Sequence, residues 1–120
     1  MDNQTNINEL KEKVKKFCDD RDWDQFHNAK ELAIALNIES SELLEHFRWK
    51  SPEEVEELFK NPKKKEEIQD EMADVLYFLV RMAQMNNIDL YESFDSKLQK
   101  NNQKYPVEKA KGSHKKYNEY

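Results

Sequence analysis

Two pairs of acidic residues lie inside apolar segments of the sequence, where charged side chains are unexpected. Glu71 and Asp74 occur in DEMADVLYFLVRM, residues 70–82, and Glu42 and Glu45 occur in LNIESSELLEHF, residues 36–47. Each residue of an α-helix advances about 100°, so the two acids of a pair lie about 60° apart on one face. Carboxylates crowded in a poorly hydrated place repel one another, which favours protonation or a bound cation.

A hard divalent cation is the partner that suits such carboxylates best. Mg²⁺, with Mn²⁺ as a substitute, takes oxygen ligands and shares its coordination shell with waters and substrate phosphates. Arg48 and Arg81 are the only arginines near the acids in sequence. Two i, i+3 pairs on facing helices therefore predict a metal site made of Glu42, Glu45, Glu71 and Asp74. The alternative is an ordinary solvated acidic face. A di-iron bundle would need Glu-x-x-His pairs, which none of the three histidines provides.

The elements that position these acids are predicted to be helices. Gly112 is the single glycine and prolines number three, too few breakers for an all-β fold. Polar capping residues predict five helix starts, and the helices should end near residues 20, 47, 60, 86 and 102. These starts are Asn6, Asn28, Ser51, Asn61 and Asp89. The apolar stripes of the long helices predict an all-α fold, a four-helix-bundle core with a short third helix as a connector.

Two further features concern the ends and the assembly of the chain. Pro106 is expected to end helical structure, so residues 1–105 are assigned to the helical domain and residues 106–120 to a basic flexible tail. The fourth helix is apolar on most of its circumference, and one small bundle can hardly cover it. A homodimer or homotetramer is therefore predicted from Val75, Leu76, Leu79, Val80, Met82 and Ala83.

Composition excludes several classes of protein. The chain has 120 residues, enough for one domain, and a net charge of −5, which disfavours a groove for nucleic acid polymers. Cys18 is the single cysteine, so an intrachain disulfide is excluded and a reducing compartment is expected. The sequence shows no signal peptide and no apolar run of membrane-spanning length. We therefore expect a cytoplasmic protein without a membrane partner.

The acidic motifs resemble those of a known family. An E-x-x-E, a spacer and then E-x-x-D mark the MazG-like superfamily of all-α nucleoside triphosphate pyrophosphohydrolases, and here they are ELLE, residues 42–45, and EMAD, residues 71–74. The dCTP pyrophosphatase-like branch is further resembled by RDWDQFH, residues 21–27, by FRWK, residues 47–50, by NNQKYP, residues 101–106, and by KGSHKKY, residues 111–117. These segments follow the family's order, and the resemblance covers about residues 17–120.

The resemblance implies a chemistry and a set of roles. It implies Mg²⁺-dependent cleavage of a nucleoside triphosphate, foremost dCTP or a modified dCTP, to the monophosphate and pyrophosphate in nucleotide-pool sanitation. It implies that the four acids hold the metal and that Glu39 accepts the proton of the attacking water, with Glu42 or a metal-bound hydroxide as the alternative. It also implies substrate-binding residues, namely Trp23, His27, Trp49 and Phe78 around the base and Lys97, Asn101, Lys104 and Tyr105 near the sugar and phosphates.

Three questions stay open at this level. Phe78 stands where the branch often has a tyrosine, with Tyr77 beside it, and Val14 and Phe17 stand where a polar contact to the base is expected. The substrate is therefore dCTP-like, dUTP or a broad set. The tail, with Lys111, Ser113 and Lys116, either closes over the triphosphate or only solubilises the chain. The rival function is a non-catalytic helical dimerisation module whose acids bind a structural metal or a basic partner.

Overall fold

A computed structural model describes residues 1–119, and the first five helices begin at the predicted capping residues. They are α1, Ile7–Asp19, α2, Ala29–Glu45, α3, Pro52–Lys60, α4, Pro62–Met85, α5, Leu90–Lys104, and α6, Val107–Ala110, followed by a 3-10 turn at Tyr117–Glu119. No strand occurs within residues 1–119. The all-α fold class and the short third helix are therefore confirmed.

The helix starts are stabilised by side-chain caps, which is why they could be predicted from a few consecutive residues. The side-chain oxygens of Asn6 and Asn28 each accept a hydrogen bond of 2.9 Å from the backbone N–H three residues later. Ser51 forms a reciprocal capping box with Glu54, in which each side chain accepts from the other residue's backbone N–H at 3.2 Å. Each cap satisfies an amide that has no partner within its helix.

The chain divides into two compact units, Met1–Asn87 and the part that begins at Ile88. In the first unit α4 packs against α1, α2 and α3. Its most deeply buried apolar residues are Cys18, Leu32, Ile68, Val80 and Ala83, each no more than 2% exposed. Among them lies a charged side chain, Arg81, which is completely buried. The acids of α2 and α4 are therefore held by two helices that contact each other directly.

The second unit corrects one prediction about the chain's end. Helical structure does not stop at Pro106, because α6 begins at Val107 with this proline as its capping residue, a place where proline does not disturb a helix. The tail also folds onto its own unit. The rings of Tyr105 and Tyr117 lie 6.4 Å apart, and the Lys104 Nζ lies 4.9 Å from the centre of the Tyr117 ring. The domain boundary at residue 105 and the flexibility of the tail stay predictions.

Apolar residues on α4 divide between core and surface. Val80 and Ala83 are buried, whereas Met72, Leu76 and Leu79 are between 43% and 55% exposed. The predicted oligomer would cover such a surface, and it stays a prediction. Within residues 1–119, no helix has both the length and the apolar character needed to cross a membrane.

Candidate metal and nucleotide site

Three carboxylates converge where α2 faces α4. Glu39 and Glu42 lie one turn apart on α2, and Glu71 lies on α4. One carboxylate oxygen from each lies within 4.8 Å of the others. We call Glu39, Glu42 and Glu71 the acidic cluster. The helix contact between α2 and α4 brings together residues that are about thirty positions apart in sequence.

The acidic cluster is electrostatically unfavourable as it stands. Burial, and then the carboxylates of Glu42, Glu71 and Asp74, raise the pKa of Glu39 to about 7 from its ordinary value of 4.5. The Oε2 atoms of Glu39 and Glu71 are buried and have no hydrogen-bond partner within the described part of the chain. The nearest basic group to Glu71 is His46, whose Nε2 lies 3.9 Å from Glu71 Oε1.

This donor set fits a hard divalent cation. All three ligand atoms are carboxylate oxygens, the donors that Mg²⁺ and Mn²⁺ prefer. Two buried oxygens without a donor are atoms that a cation would satisfy. The fit therefore rests on the geometry and on the unpaired oxygens, in addition to the motif.

The two other predicted metal ligands, Asp74 and Glu45, lie outside the acidic cluster. Asp74 is close enough to Glu39 to raise its pKa and lines the same cavity. Glu45 is not brought to the acidic cluster, because its Oε1 lies 3.5 Å from the Arg48 guanidinium and its side chain is 67% exposed. Arg81 is likewise engaged elsewhere, with Asp24. Neither of the two arginines near the acids in sequence therefore neutralises the acidic cluster.

A cavity of about 450 Å³ adjoins the acids. Two predicted base-pocket residues, Trp23 and Phe78, line it, and Glu39 and Asp74 form its acidic part. Four further lining residues are not among the predicted site residues: Lys13, Val14, Phe17 and Tyr77. We call this space the aromatic cavity. Its size and mainly apolar wall are typical of small-molecule sites.

The aromatic rings of the wall are held by edge-to-face packing. Phe17 contacts both Trp23 and Tyr77, with ring centres 5.6 and 5.9 Å apart. Tyr77 in turn packs on Phe78 at 4.9 Å. The Tyr77 hydroxyl lies 3.3 Å from the sulfur of buried Cys18. Cys18 is therefore a packed core residue that anchors the wall. The i, i+4 spacing of Val14 and Cys18 puts them on one face of α1, and the structure packs α1 against α4.

Two other predicted base-pocket residues do not line the aromatic cavity. His27 packs its ring 6.0 Å from Trp23 and accepts a hydrogen bond at Nδ1 from Arg81. Trp49 is 86% exposed, has a left-handed backbone with φ of 63°, and lines a separate depression with Arg48 and Lys50. Substrate binding by either residue stays a prediction.

The predicted sugar and phosphate residues belong to the second unit. Lys97, Asn101 and Lys104 recur at i, i+4 and i+7 on α5, which puts them on one face of that helix, and Tyr105 is its C-terminal capping residue. Their roles stay predictions.

Comparison with known proteins gives this site a context. The model of the MazG-like family matches residues 34–120. The chain is 42% identical over 101 residues to dCTP pyrophosphatase 1 of Rattus norvegicus, a match that covers 84% of the chain and 59% of that protein. It is 38% identical over 103 residues to dCTP pyrophosphatase 1 of Homo sapiens, a match that covers 86% of the chain and 61% of that protein.

A solved structure extends the similarity to the fold. The crystal structure of a pyrophosphatase from Archaeoglobus fulgidus aligns with a TM-score of 0.78 and 37% identity. That alignment covers 83% of this chain and 92% of the other. The chain spans about three-fifths of the length of the curated relatives it matches.

Proposed function

Because the chain belongs to the MazG-like family, we propose that it is a divalent-metal-dependent nucleotide pyrophosphohydrolase. The reaction is conversion of a nucleoside triphosphate to the monophosphate and pyrophosphate. The observation that carries the proposal is the position of the acidic cluster, since Glu39 belongs both to the cluster and to the wall of the aromatic cavity. With a divalent cation bound to the acidic cluster, the phosphates and the flat base of a nucleotide would thus find complementary surfaces side by side.

Mg²⁺ is the proposed ion, with Mn²⁺ as a substitute. Glu39, Glu42, Glu71 and Asp74 would hold it, whereas Glu45, which the motif implies as a ligand, pairs with Arg48 outside the acidic cluster. When bound, the ion would neutralise charge that develops on the phosphates and lower the pKa of the attacking water. The carboxylates of the chain would fix the position of the ion, and a triphosphate bound through that ion would be oriented relative to the water.

The proposed chemical step is an attack of water on the α-phosphorus. The water oxygen bonds to phosphorus, the bond from the α-phosphorus to the bridging oxygen breaks, and pyrophosphate leaves with that oxygen. Glu39 or Glu42 takes the proton of the water, the role that the family resemblance implies. Both carboxylates lie in the acidic cluster, within reach of a water bound there.

dCTP or a modified dCTP is the proposed substrate, in a role of nucleotide-pool sanitation. Relatives that are named dCTP pyrophosphatase 1 support this assignment. Trp23 and Phe78 offer faces on which a base can stack, whereas Val14 and Phe17 give the wall no polar group to read cytosine. Lys97, Asn101, Lys104 and Tyr105 are the proposed contacts to sugar and phosphates, and His27 and Trp49 further contacts to the base.

The test is release of pyrophosphate from a panel of natural and modified triphosphates, with and without Mg²⁺. We expect the highest kcat/KM for dCTP-like substrates and loss of turnover in Glu71→Gln. Glu66→Gln is the matched control, because Glu66 is an exposed glutamate earlier on the same helix. A preference for dUTP, or similar kcat/KM for many triphosphates, would correct the proposed substrate but not the proposed reaction. A folded wild type that releases nothing with either ion would favour the non-catalytic module instead.

A further inference from the structure

Arg81 is a buried charge that the proposed chemistry does not use. Its side chain is completely inaccessible, although it follows the acids on α4. A guanidinium out of water carries a large desolvation penalty unless partners satisfy it. The partners of Arg81 therefore indicate what the charge does.

All three nitrogens of the guanidinium have partners. The Nη2 donates to Asp24 Oδ1, the Nε donates to His27 Nδ1 at 3.0 Å, and the Nη1 donates to Gln84 Oε1 at 2.6 Å. Asp24 provides the balancing charge and Arg81 lowers its pKa through this hydrogen bond. Two of the three partners lie in the connection between α1 and α2, residues 20–28, which we call the Trp23 loop.

The Trp23 loop is fixed at two places. At its start, the backbone N–H of Trp23 donates to the carbonyl of Cys18 at 3.0 Å, and Asp22 adopts a left-handed φ of 52°. At its far side, Arg81 holds Asp24, the residue after Trp23, and His27, whose ring packs against the indole. The first contact joins the loop to α1, and the second joins it to α4.

The same side of α4 forms the wall of the aromatic cavity. Arg81 follows Phe78 by three residues and Tyr77 by four, so the three are neighbours on the helix surface. Tyr77, Phe78 and Trp23 all line the cavity. Arg81 thus ties the loop that carries Trp23 to the helix that carries Tyr77 and Phe78, which also line the wall.

We propose that Arg81 is a positioning residue that clamps the Trp23 loop and thereby sets the affinity of the aromatic cavity for a nucleobase. The second half of this inference rests on the proposed function. The clamp itself is a property of the free protein and is tested without any nucleotide. His27 accepts at Nδ1, so its proton is on Nε2, and this tautomer is a second signature of the clamp.

The first experiment measures the clamp in the free protein. In a Trp49→Phe background, Trp23 is the single tryptophan and its emission reports the loop. Asp24→Ala is compared with Asp19→Ala, which removes a carboxylate paired with Lys15 at the end of α1 instead. We expect acrylamide to quench Trp23 more strongly in Asp24→Ala, and nitrogen NMR to show a mixture of His27 tautomers. Equal quenching in the two variants would overturn the clamp, whatever the wild type hydrolyses.

The second experiment separates positioning from chemistry in the protein with native Trp49. In Asp24→Ala we expect KM for the best triphosphate to rise about five- to tenfold, because a displaced Trp23 would lose part of one base-stacking contact. The kcat should stay within about twofold of the control, because the acidic cluster is untouched. Asp24→Asn, which keeps an acceptor without the charge, should fall between. A lower kcat at unchanged KM would overturn the role in affinity, whereas a wild type without turnover would contradict the proposed function and leave the quenching result to decide the clamp.

Discussion

Glu39 is the residue on which the electrostatics of the acidic cluster converge. Its pKa is raised to about 7 by burial and by three other carboxylates, and its Oε2 has no donor within the described residues. It is also one of three glutamates at successive i, i+3 positions, Glu39, Glu42 and Glu45. The motif predicts Glu42 with Glu45 as the pair that opposes Glu71, whereas the acidic cluster contains Glu39 with Glu42.

Cation binding distinguishes these two pairs. We expect Glu39→Gln to weaken Mn²⁺ binding about tenfold or more, since even outer ligand contacts are worth that much, and Glu45→Gln to leave it within about twofold. Isothermal titration of the nucleotide-free protein with Mn²⁺ measures both. Glu45 has Arg48 as a partner and is exposed, which is why its loss should be tolerated. A large effect at Glu45 and none at Glu39 would restore the pair Glu42 and Glu45.

The raised pKa of Glu39 also makes a prediction for stability without metal. Below about pH 4.5 the carboxyl is protonated in both the folded and unfolded states. Between about pH 4.5 and about 7 the folded state keeps a proton that the unfolded state has released, so this residue makes stability fall as pH rises. Above about pH 7 its contribution is constant.

The measurement is the difference in Tm between the wild type and Glu39→Gln in EDTA across this pH range. We expect the Tm of Glu39→Gln to rise relative to that of the wild type as pH rises from 4.5 to 7. Saturating Mg²⁺ should remove the gain, because the cation takes over the charge. Glu66→Gln serves as the control and should show a constant difference. A constant difference in Glu39→Gln would contradict the raised pKa.

At the scale of the elements, the helix starts are the most local feature of the structure. The Asn61 side chain accepts hydrogen bonds from the backbone N–H groups of Lys63 and Lys64 at 3.1 and 3.2 Å, and so caps α4. Pro62 occupies the first position of the helix, where its missing N–H is harmless. A cap of this kind depends on three or four consecutive residues, and for that reason it was predictable.

Replacing this cap should affect stability without affecting the site. We expect Asn61→Ala to lower the free energy of unfolding by about 1 kcal/mol, the usual value of a side-chain cap. KM and kcat should be unchanged, because Glu71 lies more than two turns further along α4. Asn102→Ala, a helical asparagine of α5, is the control and should not destabilise, since alanine favours a helix. Urea unfolding measures both, and an unaffected Asn61→Ala would show that packing of α4 makes its cap dispensable.

At the scale of the whole molecule, α4 has two apolar sides with different surroundings. Counting about 100° per residue from Asp74, the exposed Met72, Leu76 and Leu79 lie about 140–200° away, on the side opposite the acids. On α2, Ile34 and Ile38 are also about half exposed, one turn apart. Burying a leucine contributes about 1.5–3 kcal/mol, so covering several such residues would stabilise an assembly.

We therefore expect the wild type to be a dimer or tetramer and Leu79→Glu to shift it toward the monomer. The physical reason is that a carboxylate in an apolar interface loses its hydration without gaining a partner. Light scattering after size-exclusion chromatography gives the mass of each. Gln4→Glu adds the same charge at an exposed N-terminal residue and is the control. A monomeric wild type would contradict the predicted oligomer.

The sequence by itself determined the helices, the family resemblance and the presence of acids in apolar surroundings. Caps and apolar periodicity act within a few residues, so they could be read without distances. It did not predict the helix after Pro106, where the proline serves as a cap instead of an end.

Only the tertiary structure decided which side chains meet. The rotation of α2 against α4 brings Glu39 to Glu71 and leaves Glu45 with Arg48, although Glu39, Glu42 and Glu45 recur at the same spacing on α2. The fold of the Trp23 loop pairs Arg81 with Asp24, a residue 57 positions away, and leaves Trp49 outside the aromatic cavity. Such pairings depend on the relative positions of helices distant in sequence, which packing of the whole core fixes and no local pattern contains.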